Sequence, residues 1–306
     1  SDNHRARAGN GFKDMGRRAG NTETMGSKSE SSFTRKKHAG ETTDKNSRLV
    51  ADLGEIGLQE LRNQERQQSF YLTGGLVAVH SEGRDRDSIW NALDNKQVYA
   101  TSGDRILLWF DLLNAGGGEK AQTLPMGSEV GLDKTPRFKV SAAGAFKQNP
   151  GCPDYVAGAL GADRQASLCA NECYNPSDER KQITRIEVVR IQTQTHAGEK
   201  PSDLIEDPWL SLPCDSADGS CTVEFEDPEF VQDQREKIYY VRAIQEPTPA
   251  VNAGGLRCEY DEDGVCVAVN PCYGDFRTDP ADDCQSPNEE RAWSSPIYVN
   301  YSSGLE

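Results

Sequence analysis

Cysteine placement restricts this chain more than any other feature. All nine cysteines of the 306 residues lie between Cys152 and Cys284. Several bracket short polar turns: Cys214-Asp-Ser-Ala-Asp-Gly-Ser-Cys221 is one, and Cys258-Glu-Tyr-Asp-Glu-Asp-Gly-Val-Cys266 is another. Cys272 and Cys284 bracket a third loop. A thiol pair around a Gly/Asp turn is well placed to close a small loop as a disulfide. Zinc would call for paired short spacings. Only Cys169 and Cys173 are close, and no histidine stands near them. The expected disulfides imply an oxidising compartment: periplasm, cell surface or outside the cell. The odd count leaves one thiol free or bonded outside the chain.

Charge is as uneven as cysteine. Residues 1–50 hold 11 Lys/Arg against 6 Asp/Glu, although the whole chain has a net charge of −15. That balance disfavours a general nucleic-acid binder, which needs a basic face to displace counterions. It also disfavours attraction to anionic lipid. No apolar run approaches the length of a membrane span. The chain starts at Ser1, and we read it as a processed or truncated piece.

Residues 1–48 lack apolar periodicity and read as loop, and 49–70 as a helix. Leu76–Val79 reads as a short buried strand. A helix from Asp85 to Asn95 follows, capped by Asp85, with Ile89, Trp90 and Leu93 on its inner side. This strand–turn–helix suggests a βα unit of a parallel α/β fold. After Gly103 the pattern changes. Residues 105–113, 137–141, 183–193, 221–225, 237–245 and 297–301 read as strands. With long loops and no helices between them, they suggest an antiparallel β-sandwich. The long connections, 144–182 and 246–294, hold most of the cysteines, and loops of that length are uncommon unless stapled.

Candidate chemistry is sparse. Ser1-Asp-Asn-His4 sets a carboxylate and an imidazole two apart, on the same side of an extended segment. That pair suits Zn, Mn or Fe, although from spacing alone a solvated loop start is favoured. Arg5 and Arg7 could clamp an anionic substrate beside a metal; charge runs are more often solvated. His80 ends the Leu76–Val79 strand, where an α/β barrel would face its active mouth; such a histidine is more often a satisfied packing residue. Asp261-Glu-Asp-Gly264 lacks the long ligand series of a calcium loop and reads as an acidic turn.

Three stretches carry a family resemblance. They are Ser1-Asp-Asn-His-Arg-Ala-Arg-Ala-Gly9; Thr73-Gly-Gly-Leu-Val-Ala-Val-His-Ser-Glu-Gly83 continuing to Ile106; and Tyr239-Tyr-Val-Arg-Ala-Ile-Gln-Glu-Pro-Thr-Pro249 with Glu290-Arg-Ala-Trp-Ser-Ser-Pro-Ile297. Together they resemble the C-terminal part of a bacterial domain-of-unknown-function family (family 3604), related to the polymerase-and-histidinol-phosphatase (PHP) metallohydrolases. The resemblance implies an α+β protein: the C-terminal remnant of a PHP-like α/β barrel over 1–103, then an antiparallel β-sandwich with disulfide-stapled loops over 104–306. It makes Asp2 and His4 the last ligands of a divalent-metal site whose first ligands would precede Ser1. The function implied is that of a fragment of an exported metal-dependent hydrolase. It would act on a phosphate ester or similar small anionic ester through a metal-bound hydroxide, and the fragment alone would be inactive. The alternative is a secreted or envelope-associated β-sandwich binding protein with an inactive barrel.

Overall fold

The computed structural model describes residues 75–116, 122–169, 173–251, 257–270, 282 and 285–302. The Leu49–Phe70 helix expectation therefore lies outside the described residues. The chain divides into two compact units. One comprises Leu76–Lys147, Asp178–Glu246 and Glu290–Glu306; the other comprises Ser1–Gly75, Gln148–Ser177 and Pro247–Glu289.

The first unit is built on two main sheets and a separate two-stranded pair, Phe146–Gln148 with Pro176–Arg180. Its strands are β1 (Leu76–Val79), β2 (Val98–Thr101), β3 (Leu107–Ala115), β4 (Gln122–Pro125), β5 (Glu129–Leu132), β6 (Arg137–Ala143), β7 (Phe146–Gln148), β8 (Pro176–Arg180), β9 (Ile183–Gln192), β10 (Ile205–Pro213), β11 (Ser220–Glu226), β12 (Lys237–Val251), β15 (Gln285–Ser294) and β16 (Ile297–Tyr301). The large sheet runs β1-β2-β15-β12-β16-β5, with β9 on β12 and β10 on β9. The small sheet runs β11-β6-β3-β4. The pairs β1–β2, β2–β15, β12–β16, β9–β12, β9–β10, β6–β11, β3–β6 and β3–β4 are antiparallel, whereas β16 and β5 run parallel.

Alternation of side chains explains how the two layers meet. Leu108, Phe110 and Leu112 of β3 and Phe138 and Val140 of β6 are fully buried. They share one core with Ile186 and Val188 of β9, Tyr239 and Val241 of β12, and Ile297 and Val299 of β16. Phe138 is at its centre, with ring centroids 5.5 Å from Phe110, 5.0 Å from Phe225 and 4.7 Å from Tyr239.

The α/β barrel remnant expected in the N-terminal third is overturned by the pairing of residues 76–101. β1 pairs antiparallel with β2, from Leu76 opposite Thr101 to Val79 opposite Val98. β2 in turn pairs antiparallel with β15. The intervening helix α1 (Arg86–Asp94) starts where expected, Asp85 accepting the Ser88 N–H at 2.9 Å. Its expected inner face is not inside, however: Ile89, Trp90 and Leu93 are 37%, 67% and 43% exposed, and Ala92 alone is buried. A crossover helix must lay an apolar face on its sheet for parallel strands to form. Nine residues with one buried alanine do not, and the strands meet as antiparallel neighbours.

One polar cluster is sealed into this unit. Asp227 and Lys237 have fully buried side chains, and Arg190 is nearly so. Asp227 accepts from Arg190 at 3.0 Å, from Lys237 at 3.1 Å and from the Tyr239 hydroxyl at 2.7 Å. Arg190 also reaches Glu206 at 2.6 Å and Glu229 at 2.7 Å, and its guanidinium lies 4.3 Å from the Trp209 ring.

Disulfides join Cys214 to Cys221, Cys258 to Cys266 and Cys152 to Cys173. Cys272 and Cys284 lie outside the described residues. The first pair ties the end of β10 to the start of β11 across a tight turn. Gly219 has φ +78° there, and an added Cβ would meet the Lys181 carbonyl oxygen at 2.8 Å. Asp218 accepts from the Ser216 and Ser220 hydroxyls and the Ser220 N–H, which hold its carboxyl at about 2. Replacing Cys214 and Cys221 together by alanine should cost about 2–3 kcal/mol, because a short closed loop is released in the unfolded chain. Urea unfolding of the variant beside the parent checks the value.

In the other unit, α2 (Asp154–Leu160) and α3 (Ala162–Cys169) follow one another, and β13 (Cys258–Tyr260) and β14 (Cys266–Val269) form a hairpin. The hairpin turn engages its own carboxylate: Asp261 Oδ1 accepts the N–H groups of Asp263 at 3.0 Å and Val265 at 2.8 Å. This fits the acidic-turn reading of Asp261–Gly264.

Candidate functional site: the outer face of the small sheet

The face of the small sheet turned away from the core follows from the same alternation. In β3 the residues between Leu108, Phe110 and Leu112 point outward: Leu107, Trp109 and Asp111. Trp109 is 42% exposed. Register sets these residues in rows across the sheet. Leu107 is opposite Ala143, which is opposite Ser220; Trp109 is opposite Ser141, which is opposite Thr222; Asp111 is opposite Lys139, which is opposite Glu224. The Ser141 and Thr222 hydroxyls lie 3.2 Å apart. Neighbouring strands are about 4.8 Å apart and successive rows about 7 Å. A flat surface results, with an indole and paired hydroxyls in one row and a carboxylate and an ammonium in the next.

β3 pairs with β4 only from Asp111 onward, so among the described residues its first half has an edge without a strand neighbour in the sheet. Two side chains satisfy that edge. His80 Nε2–H donates to the Leu108 carbonyl at 2.8 Å, and the Tyr99 hydroxyl donates to the Ile106 carbonyl at 3.0 Å. Burial pushes the Tyr99 hydroxyl up from its ordinary value. The His80 ring centroid lies 5.3 Å from the Tyr99 ring and 5.8 Å from that of Trp109. His80 thus stands beside the exposed indole, anchored to the strand that carries it. Partial burial pushes the Asp111 carboxyl up, against the opposing pull of His80 and Lys139.

Among the described residues singled out in the sequence as candidate site residues, His80 reaches this surface. Asp2, His4, Arg5 and Arg7 lie outside the described residues. Among the described residues no group of three or more His, Cys, Asp or Glu is placed to hold a metal, and no helix is long and apolar enough to cross a membrane. Trp109 and Asp111 are not distinguished by the sequence because they sit within the largely apolar stretch 105–113, and Lys139, Ser141 and Thr222 are not, because nothing local in the strands 137–141 and 221–225 shows that the two lie side by side. Asp111 was the available signal: a carboxylate in that run marks the solvent face, and Trp109 shares it by the two-residue period.

Over residues 19–148 the chain matches a family described as protein of unknown function (DUF3604). The match covers less than half of the chain. It takes in His80, β3 and β6 and ends before β11. Neither the curated proteins nor the solved structures contain a match to this chain.

Proposed function

We propose that this chain serves as a binding module of a protein outside the cytoplasm, and that its ligand surface is the outer face of the small sheet. The observation that carries the reading is Trp109. A large aromatic side chain held open on a rigid sheet, with polar groups at fixed spacing around it, has the composition of a recognition surface. His80 and Tyr99 fix the strand beneath it. The three disulfides fit an oxidising compartment.

The metal-dependent hydrolase implied by the family resemblance depends on Asp2 and His4, to which no observation on the folded unit adds. It is therefore the second reading, and one assay separates the two. The protein extended by the upstream metal ligands that the resemblance implies is supplied with Zn2+, Mn2+ or Fe2+ and a phosphomonoester, because the hydrolase reading expects this chain alone to be inactive. The binding reading expects no turnover that responds to Asp2→Ala or His4→Ala. Metal-dependent turnover abolished by either substitution would replace it with the hydrolase.

A further inference from the structure

We infer that the outer face of the small sheet takes a neutral saccharide, one pyranose ring stacking on Trp109 while its hydroxyls meet the polar groups around it. The inference rests on the binding-module reading and narrows its ligand. Four observations on this face lead to it.

The indole is the first. A pyranose has one face of C–H groups, and a flat exposed indole matches that face better than it matches a charged group. The second is the character of the rows. The rows through Leu107 and Trp109 carry no charged side chain; beside the indole lie Ser141 and Thr222, whose hydroxyls both donate and accept. Sugar hydroxyls also do both, so they pair with such groups without stranding a charge.

Charge is the third observation. The next row pairs Asp111 with Lys139 and Lys139 with Glu224, and Arg137 stands 3.7 Å from Glu224. Positive and negative groups alternate, Glu226 lying opposite Arg137, so the surface carries no single-sign patch of the kind that draws in a phosphate, a nucleic acid or a basic peptide. Asp111 and Lys139 instead form an acceptor and a donor about one row from the indole, roughly 7 Å, within the span of a ring stacked on Trp109. Rigidity is the fourth. Trp109 and Asp111 sit in a strand whose core side chains are fully buried and whose open edge is closed by His80 and Tyr99. A preformed surface loses little entropy on binding, which suits a ligand offering modest energy per contact.

The test is a calorimetric titration of the full chain with three neutral hexasaccharides: cellohexaose, chitohexaose and maltohexaose. At least one should bind. Trp109→Ala should weaken it about tenfold or more, the loss expected when stacking and its apolar contact are removed. Trp109→Phe should weaken it less, and Thr222→Val about two- to tenfold through one lost hydrogen bond. Both Trp109 variants should keep the parent's far-ultraviolet circular dichroism and a cooperative urea transition, which separates a lost contact from a lost fold. If no hexasaccharide binds, or if binding is indifferent to Trp109, the saccharide inference is overturned. Titration of a phosphomonoester and of a short peptide separates the two levels of the claim. Trp109-dependent binding of either, without saccharide binding, keeps the binding face and removes the sugar.

Discussion

Asp227→Ala should destabilise the protein by about 3–5 kcal/mol, the range for breaking a buried ion pair by removing one partner. The Asp227 side chain is fully buried, as is that of its partner Lys237, and Arg190 is nearly so. Truncation leaves both cations with less counter-charge and removes the acceptor of the Tyr239 hydroxyl. Lys237 still has Asp233 at 2.5 Å, and Arg190 still has Glu206 and Glu229. These remaining partners set the expected loss near the low end of the range. Acid should act through the same group. Burial pushes the Asp227 carboxyl up, but the Tyr239 hydroxyl, Lys237 and Arg190 outweigh it and hold the carboxyl below its ordinary value of 3.8. A carboxyl depressed in the folded state stabilises it fully above the unfolded value. That contribution is lost as pH falls through the folded value. Stability should therefore decline as pH drops below about 4, and the Asp227→Ala variant should lack this part of the decline. Urea midpoints of parent and variant between neutral and acid pH check both effects.

Phe138→Ala should cost a similar amount, about 3–5 kcal/mol. Phe138 is fully buried and packs on the rings of Phe110, Phe225 and Tyr239. The first two belong to its own sheet and the third to the facing sheet, so the cavity would open where the two layers meet. Phe138→Leu should cost distinctly less, because most of the volume stays filled. A smaller loss for alanine than for leucine would contradict the packing described.

These effects also show what the sequence could disclose. Strands at 137–141, 183–193, 221–225, 237–245 and 297–301 were legible, because alternating or doubly apolar runs between polar turns have few other uses. In the structure they are β6, β9, β11, the first part of β12, and β16. The short helix at Arg86–Asp94 was legible through its Asp85 cap, whereas its burial was not. Ile89, Trp90 and Leu93 form an apolar stripe that no local rule distinguishes from a core-facing one. The antiparallel partnership of β1 and β2 was hidden for a related reason: strand–helix–strand spacing fits either strand direction, and only the long-range pairing of β2 with β15 settles it. The Arg190–Asp227–Lys237 cluster joins β9 to residues 37 positions or more further on, across intervening strands, so no local spacing announces it. Trp109 was hidden in plain view, its outward face masked by the apolar residues on either side.

The central claim is that ligands meet this protein on the Trp109 face. Amide and indole resonances of the full chain, followed while a neutral hexasaccharide, a phosphomonoester and a short peptide are titrated in turn, test it most directly. We expect whichever ligand binds to shift the Trp109 indole signal first, together with the amides of Asp111, Ser141 and Thr222. The indole signal of Trp90, which is exposed on α1, should stay in place. A ligand that binds while leaving the Trp109 signal unmoved, and shifts residues elsewhere, would contradict the account.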